Sequence, residues 1–264
     1  MKTLKPLAAL PTLITLGNAF CGLLAVTYVV DAMHGVATET PIKVYDSLQA
    51  AVMCLLVAMV FDFLDGKVAR LTGSASEFGV QVDSLSDVIS FGLVPALLFK
   101  TLAHYEFDMA PKRALVLSAF YLFGAVLRLA RYNVETDESD DHSGFKGLPS
   151  PAAAAGIASL VFFYCGREYP EMDSIILSTF PWIVVGLGVL MWTKLPYIHF
   201  ANVLLTEKRH YSHMLLILMA IGAIFFEPSA GIALVMLSYA ASGPVLFVWG
   251  KVTGRTTIEG ESFL

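Results

Sequence analysis

Four aspartates within 26 residues are the side chains of this sequence best placed to do chemistry. The stretch reads Asp62-Phe-Leu-Asp65-Gly66-Lys-Val-Ala69-Arg70, then eight residues, then Gly79-Val-Gln-Val-Asp83-Ser-Leu-Ser-Asp87. Asp62 and Asp65 are three apart and share a face of a helix, and Gly66 and Ala69 extend that face with small residues. Gly79, Asp83 and Asp87 follow at intervals of four and line one face of the next helix. Gly73 and Ser74 supply the break between the two. A helical hairpin of this kind brings four carboxylates towards one another, and they repel unless something positive sits between them. Arg70 offsets one charge only. No His or Cys is at hand, so hard divalent cations such as Mg²⁺ or Mn²⁺ suit the site far better than zinc. Two such ions, about 3.5–4 Å apart, would clamp a diphosphate and stabilise both its entering and its leaving oxygens. Gly66 and Gly79 would let a phosphate or nucleotide approach the backbone closely. One Asp near a helix end reads as a solvated surface group, but four in two helical registers do not.

The elements that must hold this hairpin are membrane helices. Of the 264 residues 56% are hydrophobic and only 15% charged, with mean hydropathy +0.69. A soluble domain has about 25% charged residues, so the apolar excess is too large for one soluble core. A bilayer core needs about 20 apolar helical residues. Eight stretches answer to that: 12–32, 47–66, 79–99, 114–133, 151–166, 174–193, 211–227 and 229–250. The fifth is short and reads as tilted or partly re-entrant. The last two are separated only by Glu227 and Pro228 and read as a tight hairpin. The apolar runs are continuous rather than alternating, so an all-α polytopic bundle is expected, not a barrel. Lys2 and Lys5 before the first run resemble the start of a signal peptide, but with no small-residue cleavage site it reads as an uncleaved first span.

With eight crossings and the N-terminus in the cytoplasm, twelve of the 17 Lys and Arg residues fall on the inner side. The positive-inside rule therefore puts both termini in the cytoplasm. The hinge between spans two and three, the end of span four, the loop 134–150 and the loop 194–210 then share that side. The acidic run 135–141 reads as a solvated loop, and His199, His210 and His213 as interfacial anchors. Cys21, Cys54 and Cys165 stand alone among apolar residues as small hydrophobes. A net charge of −5, with no basic run, argues against nucleic acid. A cation-transport path would need acids deep in several spans, whereas these lie at span ends. The run Ala152–Gly156 allows close helix contact, either within the chain or across a dimer face.

The pattern Asp-x2-Asp-Gly-x2-Ala-Arg-x8-Gly-x3-Asp-x3-Asp resembles the signature of the CDP-alcohol phosphatidyltransferases, with every specified position matched. The resemblance implies a single integral-membrane domain over 1–264, with a six-span core at about 10–193 and two additional spans at about 211–250. It implies a two-metal site (Mg²⁺ or Mn²⁺) held by Asp62, Asp65, Asp83 and Asp87, with Asp87 also removing the acceptor hydroxyl proton. It implies contacts from Gly66, Arg70, Ser76 and Gly79 to the CDP-lipid, and a homodimer in the inner membrane with its site facing the cytoplasm. The family's first span often opens Pro-Asn-x-x-Thr; here it is Pro11-Thr12-Leu-Ile-Thr15 with Asn18 beyond. The Asn after Pro is absent, and Thr15 and Asn18 stand as the candidate nucleotide contacts.

Three further stretches, Ser90–Ala96, Arg128–Asn133 and Phe145–Pro151, look like the bacterial and archaeal phosphatidylserine synthase branch. That branch implies CDP-diacylglycerol and L-serine as substrates. Arg128 and Arg131 are three apart at the inner end of span four, and a guanidinium fork suits the carboxylate of serine. With Asn133 they form the expected serine-binding set. Arginines there fit a glycerol phosphate or inositol phosphate acceptor, or a role as membrane anchors, on the same reading.

Overall fold

The computed structural model describes residues 6–38, 41–73, 76–106, 109–138, 147–166, 173–195, 197, 219, 222 and 224–253. Among these residues every regular element is helical. They are α1 (Pro6–Ala37), α2 (Pro41–Thr72), α3 (Glu77–Asp87), a π-helical turn (Val88–Leu93), α4 (Val94–Glu106), α5 (Pro111–Glu138), α6 (Ser150–Gly166), α7 (Asp173–Trp192) and α8 (Pro228–Thr253). Five stretches are long and apolar enough to cross a membrane, and α3, the π turn and α4 make up one of them, Glu77–Glu106. The chain is thus a polytopic helical bundle. Seven of the eight expected spans correspond to these helices, while 211–227 lies mostly outside the described residues.

The helices outrun the apolar stretches, and the sequence shows why. α1, α2, α5 and α8 each begin on a proline, whose fixed φ and missing N–H suit the first helical position. α2 ends at Gly73, whose φ of +59° is the left-handed conformation that closes helices. α5 continues to Glu138, so the first four residues of the acidic run 135–141 are helical rather than loop. The remainder of that run, and the three histidines, lie outside the described residues.

α6 is short for a structural reason. Ala153 through Val161 are all buried, and α6 packs against α2, α4, α7 and α8. A helix enclosed by protein needs no lipid-facing length. The small-residue run Ala152–Gly156 therefore serves packing within the chain: all of it but Ala152 is buried. α5 and α7 are closer still, because a Cβ on Gly124 would lie 2.5 Å from the Gly188 carbonyl oxygen. Small residues of this kind let membrane helices pack backbone to backbone.

The π turn follows from Pro95. In an α-helix the N–H of residue 95 would bond the carbonyl of Phe91, but proline has none. The ladder shifts register, and Val94 N–H donates to the Ile89 carbonyl instead. The freed Phe91 carbonyl accepts from the hydroxyl of Tyr121 on α5 at 2.9 Å, fully buried. Single π turns of this type mark functional sites in many helices, and this one begins one residue after Asp87.

The packing can be tested by thermal unfolding in detergent. Tyr121→Phe strands the buried Phe91 carbonyl and lowers stability by about 1–3 kcal/mol. Gly124→Ala lowers it by a similar amount, about 1–3 kcal/mol, through overpacking. Gly186→Ala, where an added Cβ meets nothing within 4 Å, should instead be neutral or gain up to ~1 kcal/mol of helix propensity.

Candidate active site

The start of α1, the end of α2, α3, the end of α5, the start of α6 and the residues after α7 all meet at one end of the bundle. Gly73 reverses the chain between α2 and α3. Ser76 caps α3 by accepting the Gly79 N–H at 3.0 Å. A Cβ on Gly79 would lie 3.2 Å from that same Oγ, so Gly79 is part of the cap. With the turn fixed in this way, carboxylate oxygens of Asp62, Asp83 and Asp87 lie within 4.8 Å of one another.

Asp65 stands beside this trio rather than in it. Three residues along a helix turn the side chain by about 60° and advance it by about 4.5 Å. That step carries Asp65 into an adjoining cavity of about 140 Å³, lined by Thr15, Asp65, Gly66, Ser76, Gly79 and Asp83 among others. The expected convergence of four carboxylates is therefore three plus one, with Asp83 bordering both parts. A Cβ at Gly66 would meet nothing within 4 Å, so the cavity wall there is bare backbone. Arg70, expected to offset one charge, is exposed, and its Nε donates to the Gly66 carbonyl of its own helix at 3.0 Å.

The buried cation that faces the acids is Arg128. It is only 6% exposed and lies within electrostatic range of Asp87 and Asp62. Its Nη1 donates to the Ser150 hydroxyl at 2.8 Å. Arg131, three residues on along α5, is turned to the end of α7, donating to the carbonyls of Trp192 (2.7 Å) and Thr193 (3.4 Å). Gly147 closes the same knot: its φ is +97°, and a Cβ there would lie 2.6 Å from the Thr193 carbonyl oxygen. Asn133 exchanges hydrogen bonds with Ser84 of α3 at 3.0–3.1 Å, tying α5 to the helix that carries Asp83 and Asp87.

Asn18 takes an unexpected place. It is completely buried, and its amide donates to Asp87 Oδ1 at 3.1 Å, so its side chain is engaged by an aspartate rather than facing open space. The Ser90 hydroxyl donates to the Asn18 carbonyl at 3.1 Å, and a Cβ on Gly22 would lie 2.5 Å from that hydroxyl. α1 therefore sits directly on the π turn. Thr15 lines the cavity, its hydroxyl donating to the Pro11 carbonyl at 3.0 Å. Ser90 and Ser150 lie in the stretches Ser90–Ala96 and Phe145–Pro151 but have no role assigned by the sequence, and Ser84 has no signal at all. Each is a small hydroxyl whose partner is a candidate site residue, and only the packing reveals the pairing.

A divalent cation fits this arrangement. Asp65 Oδ2, Asp83 Oδ1 and Asn18 Oδ1 are buried and accept no hydrogen bond, and a buried acceptor without a partner is costly. The donors are all oxygens, and carboxylates so close require a cation between them. Asp62, Asp83 and Asp87 are the residues placed to hold it, with Asp65 beside them.

Comparison with known proteins places the chain among phospholipid-forming transferases. A CDP-diacylglycerol--serine O-phosphatidyltransferase from Helicobacter pylori is 31% identical over 253 residues, covering 94% of this chain and 96% of that protein. An archaetidylserine synthase from Methanothermobacter thermautotrophicus is 36% identical over 198 residues, 74% of this chain and 72% of its own. A Bacillus subtilis CDP-diacylglycerol--serine O-phosphatidyltransferase is 29% identical over 191 residues, 72% of this chain and 90% of its own. The sequence model of the CDP-alcohol phosphatidyltransferases matches residues 8–192, a stretch that holds nearly all of α1 to α7 and every acid of the site. The chain belongs to the CDP-alcohol phosphatidyltransferase family.

Proposed function

We propose that this protein is a phosphatidylserine synthase, transferring the phosphatidyl group of CDP-diacylglycerol to the hydroxyl of L-serine and releasing CMP. The observation that carries the chemistry is the trio Asp62, Asp83 and Asp87 beside a buried Arg128. Serine as the acceptor is supported by the names of relatives that match most of the chain.

In this reading the serine oxygen forms a bond to the β-phosphorus, the bond from that phosphorus to CMP breaks, and the hydroxyl proton passes to Asp87 and on to solvent. Asn18 holds one oxygen of Asp87 by its amide, which fixes the direction of the carboxylate. Gly66 offers open backbone to the nucleotide, and Ser76, Gly79 and Thr15 line the same cavity. Arg70 lies one turn beyond Gly66, exposed to solvent. Two Mg²⁺ or Mn²⁺ ions, held by Asp62, Asp65, Asp83 and Asp87, would supply charge neutralisation for the diphosphate. On the acceptor side, Arg128 is the residue placed to meet the serine carboxylate. Asn133 positions α5 against α3, and Arg131 holds α5 against the end of α7. The distribution of Lys and Arg supports a site facing the cytoplasm in a cell membrane.

The test is CMP release by the purified chain in detergent with CDP-diacylglycerol and either L-serine or glycerol 3-phosphate. Release should require serine and Mg²⁺ or Mn²⁺, and should stop with EDTA. Asp83→Asn and Asp87→Asn should each lower kcat at least about 100-fold. Release with glycerol 3-phosphate alone would retain the family and discard serine. For the arginines, Arg128→Lys should raise the KM for serine about ten- to hundredfold, because a point charge replaces a fork of charge-assisted bonds. Arg131→Lys should act mainly on thermal stability, and an equal effect on KM from both would remove the distinction drawn between them.

A further inference from the structure

A second cavity lies far from the acids. It measures about 310 Å³ and sits between α1, α4 and α5, lined by Met33, Val36, Ala37, Lys100, Thr101, His104, Pro111 and Ala114. His104 follows Asp83 by 21 residues on the single span Glu77–Glu106, which is roughly 30 Å of helix. The cavity therefore opens at the opposite membrane face.

Its walls have two characters. Met33, Val36, Ala37 and Ala114 give an apolar floor, and Thr101 directs its hydroxyl to the Leu97 carbonyl of its own helix. Lys100 and His104 are one turn apart on one face of α4 and stand at the rim. Among the described residues neither has a hydrogen-bond or ion-pair partner. The acid nearest in sequence, Glu106, is held by the hydroxyls of Tyr45 and Tyr164. Lys112 and Arg113 follow Pro111 on the exposed first turn of α5, while Asp31 and His34 of α1 and Lys43, Tyr45 and Asp46 of α2 are the other titratable groups of those two helices at this end. The immediate rim is thus cationic over an apolar pocket at the end of a membrane span. A basic pocket between transmembrane helices suits an anionic head group, whereas a zwitterionic lipid brings a cation of its own beside the rim.

We propose that this cavity binds one anionic phospholipid of the leaflet opposite the acid cluster, with its phosphodiester between Lys100 and His104 and the upper part of an acyl chain against Met33, Val36 and Ala114. The site is separate from the transferase centre and does not depend on the choice of acceptor there.

The experiment is native mass spectrometry of the full chain in detergent, titrated with phosphatidylglycerol or phosphatidylcholine. The first phosphatidylglycerol should bind more tightly than phosphatidylcholine. The double variant Lys100→Gln, His104→Gln should weaken it about five- to tenfold for each side chain replaced, with CMP release unchanged as the control for folding. Because the transferase centre also binds lipid, a second readout places the ligand. Ala37→Trp should be quenched by brominated phosphatidylglycerol beyond the native tryptophans, and less by brominated phosphatidylcholine. Equal affinity for the two lipids, or full phosphatidylglycerol binding by the double variant, would overturn the proposal. Displacement of the lipid by millimolar inorganic phosphate would assign the rim to a free anion and overturn the lipid.

Discussion

Three carboxylates held within 4.8 Å of one another at the end of an apolar bundle impose a condition on everything around them. Like charges that close cannot all persist in a low-dielectric setting without compensation, and the protein supplies only part of it. One oxygen of Asp87 takes a hydrogen bond from Asn18, and Arg128 brings a single buried positive charge. The oxygens left without partners on Asp65 and Asp83 are where the chain itself stops short. That shortfall is what gives the site an appetite for hard cations and, with them, for a diphosphate.

The scaffold is organised around keeping those acids in place. α3 is fixed at its start by the Ser76 cap and at its end by the π turn that Pro95 forces. The Tyr121 hydroxyl repairs the one carbonyl this leaves bare. α1 presses its Gly22 against Ser90, which brings Asn18 to Asp87, and Asn133 binds α3 to α5 through Ser84. α5 in turn is fastened to α6 by Arg128 and Ser150, and to the end of α7 by Arg131 and the Gly124–Gly188 approach. Each of these fastenings forms inside an apolar bundle, where an unmade hydrogen bond carries a high penalty. The rigidity of the site thus comes from a few hydrogen bonds between helices whose other contacts are apolar.

Much of this is legible in the sequence because it rests on spacing. The intervals of three and four pair Asp62 with Asp65 and Asp83 with Asp87, and the continuous apolar runs mark seven helices of the bundle. What spacing does not carry is rotation between elements. Asp65 falls outside the trio because of a turn of about 60° along α2, a difference that matters only once α3 is docked. The position of Asn18 in the first span suggests a nucleotide contact, whereas its bond to Asp87 crosses 69 positions of sequence. Arg128 and Arg131 look equivalent as a pair on one helix face. The end of α7 separates them by engaging one and leaving the other among the acids. Hydropathy underestimates the helix ends because prolines and Gly73 set them.

The separation of Arg128 from the acids along the chain also constrains biogenesis. Arg128 is made 41 residues after Asp87, which at about 5–20 residues per second is roughly 2–8 s of synthesis. Its partner Ser150 comes later still. For that interval the α2–α3 hairpin enters the bilayer with Asn18 already made but with its acids lacking the buried positive charge of Arg128. Their place at helix ends, within reach of water and head groups, is what lets insertion proceed before the site is assembled. Assembly of the charge cluster is thus a late event, completed when α5 and α6 dock against helices already in the membrane.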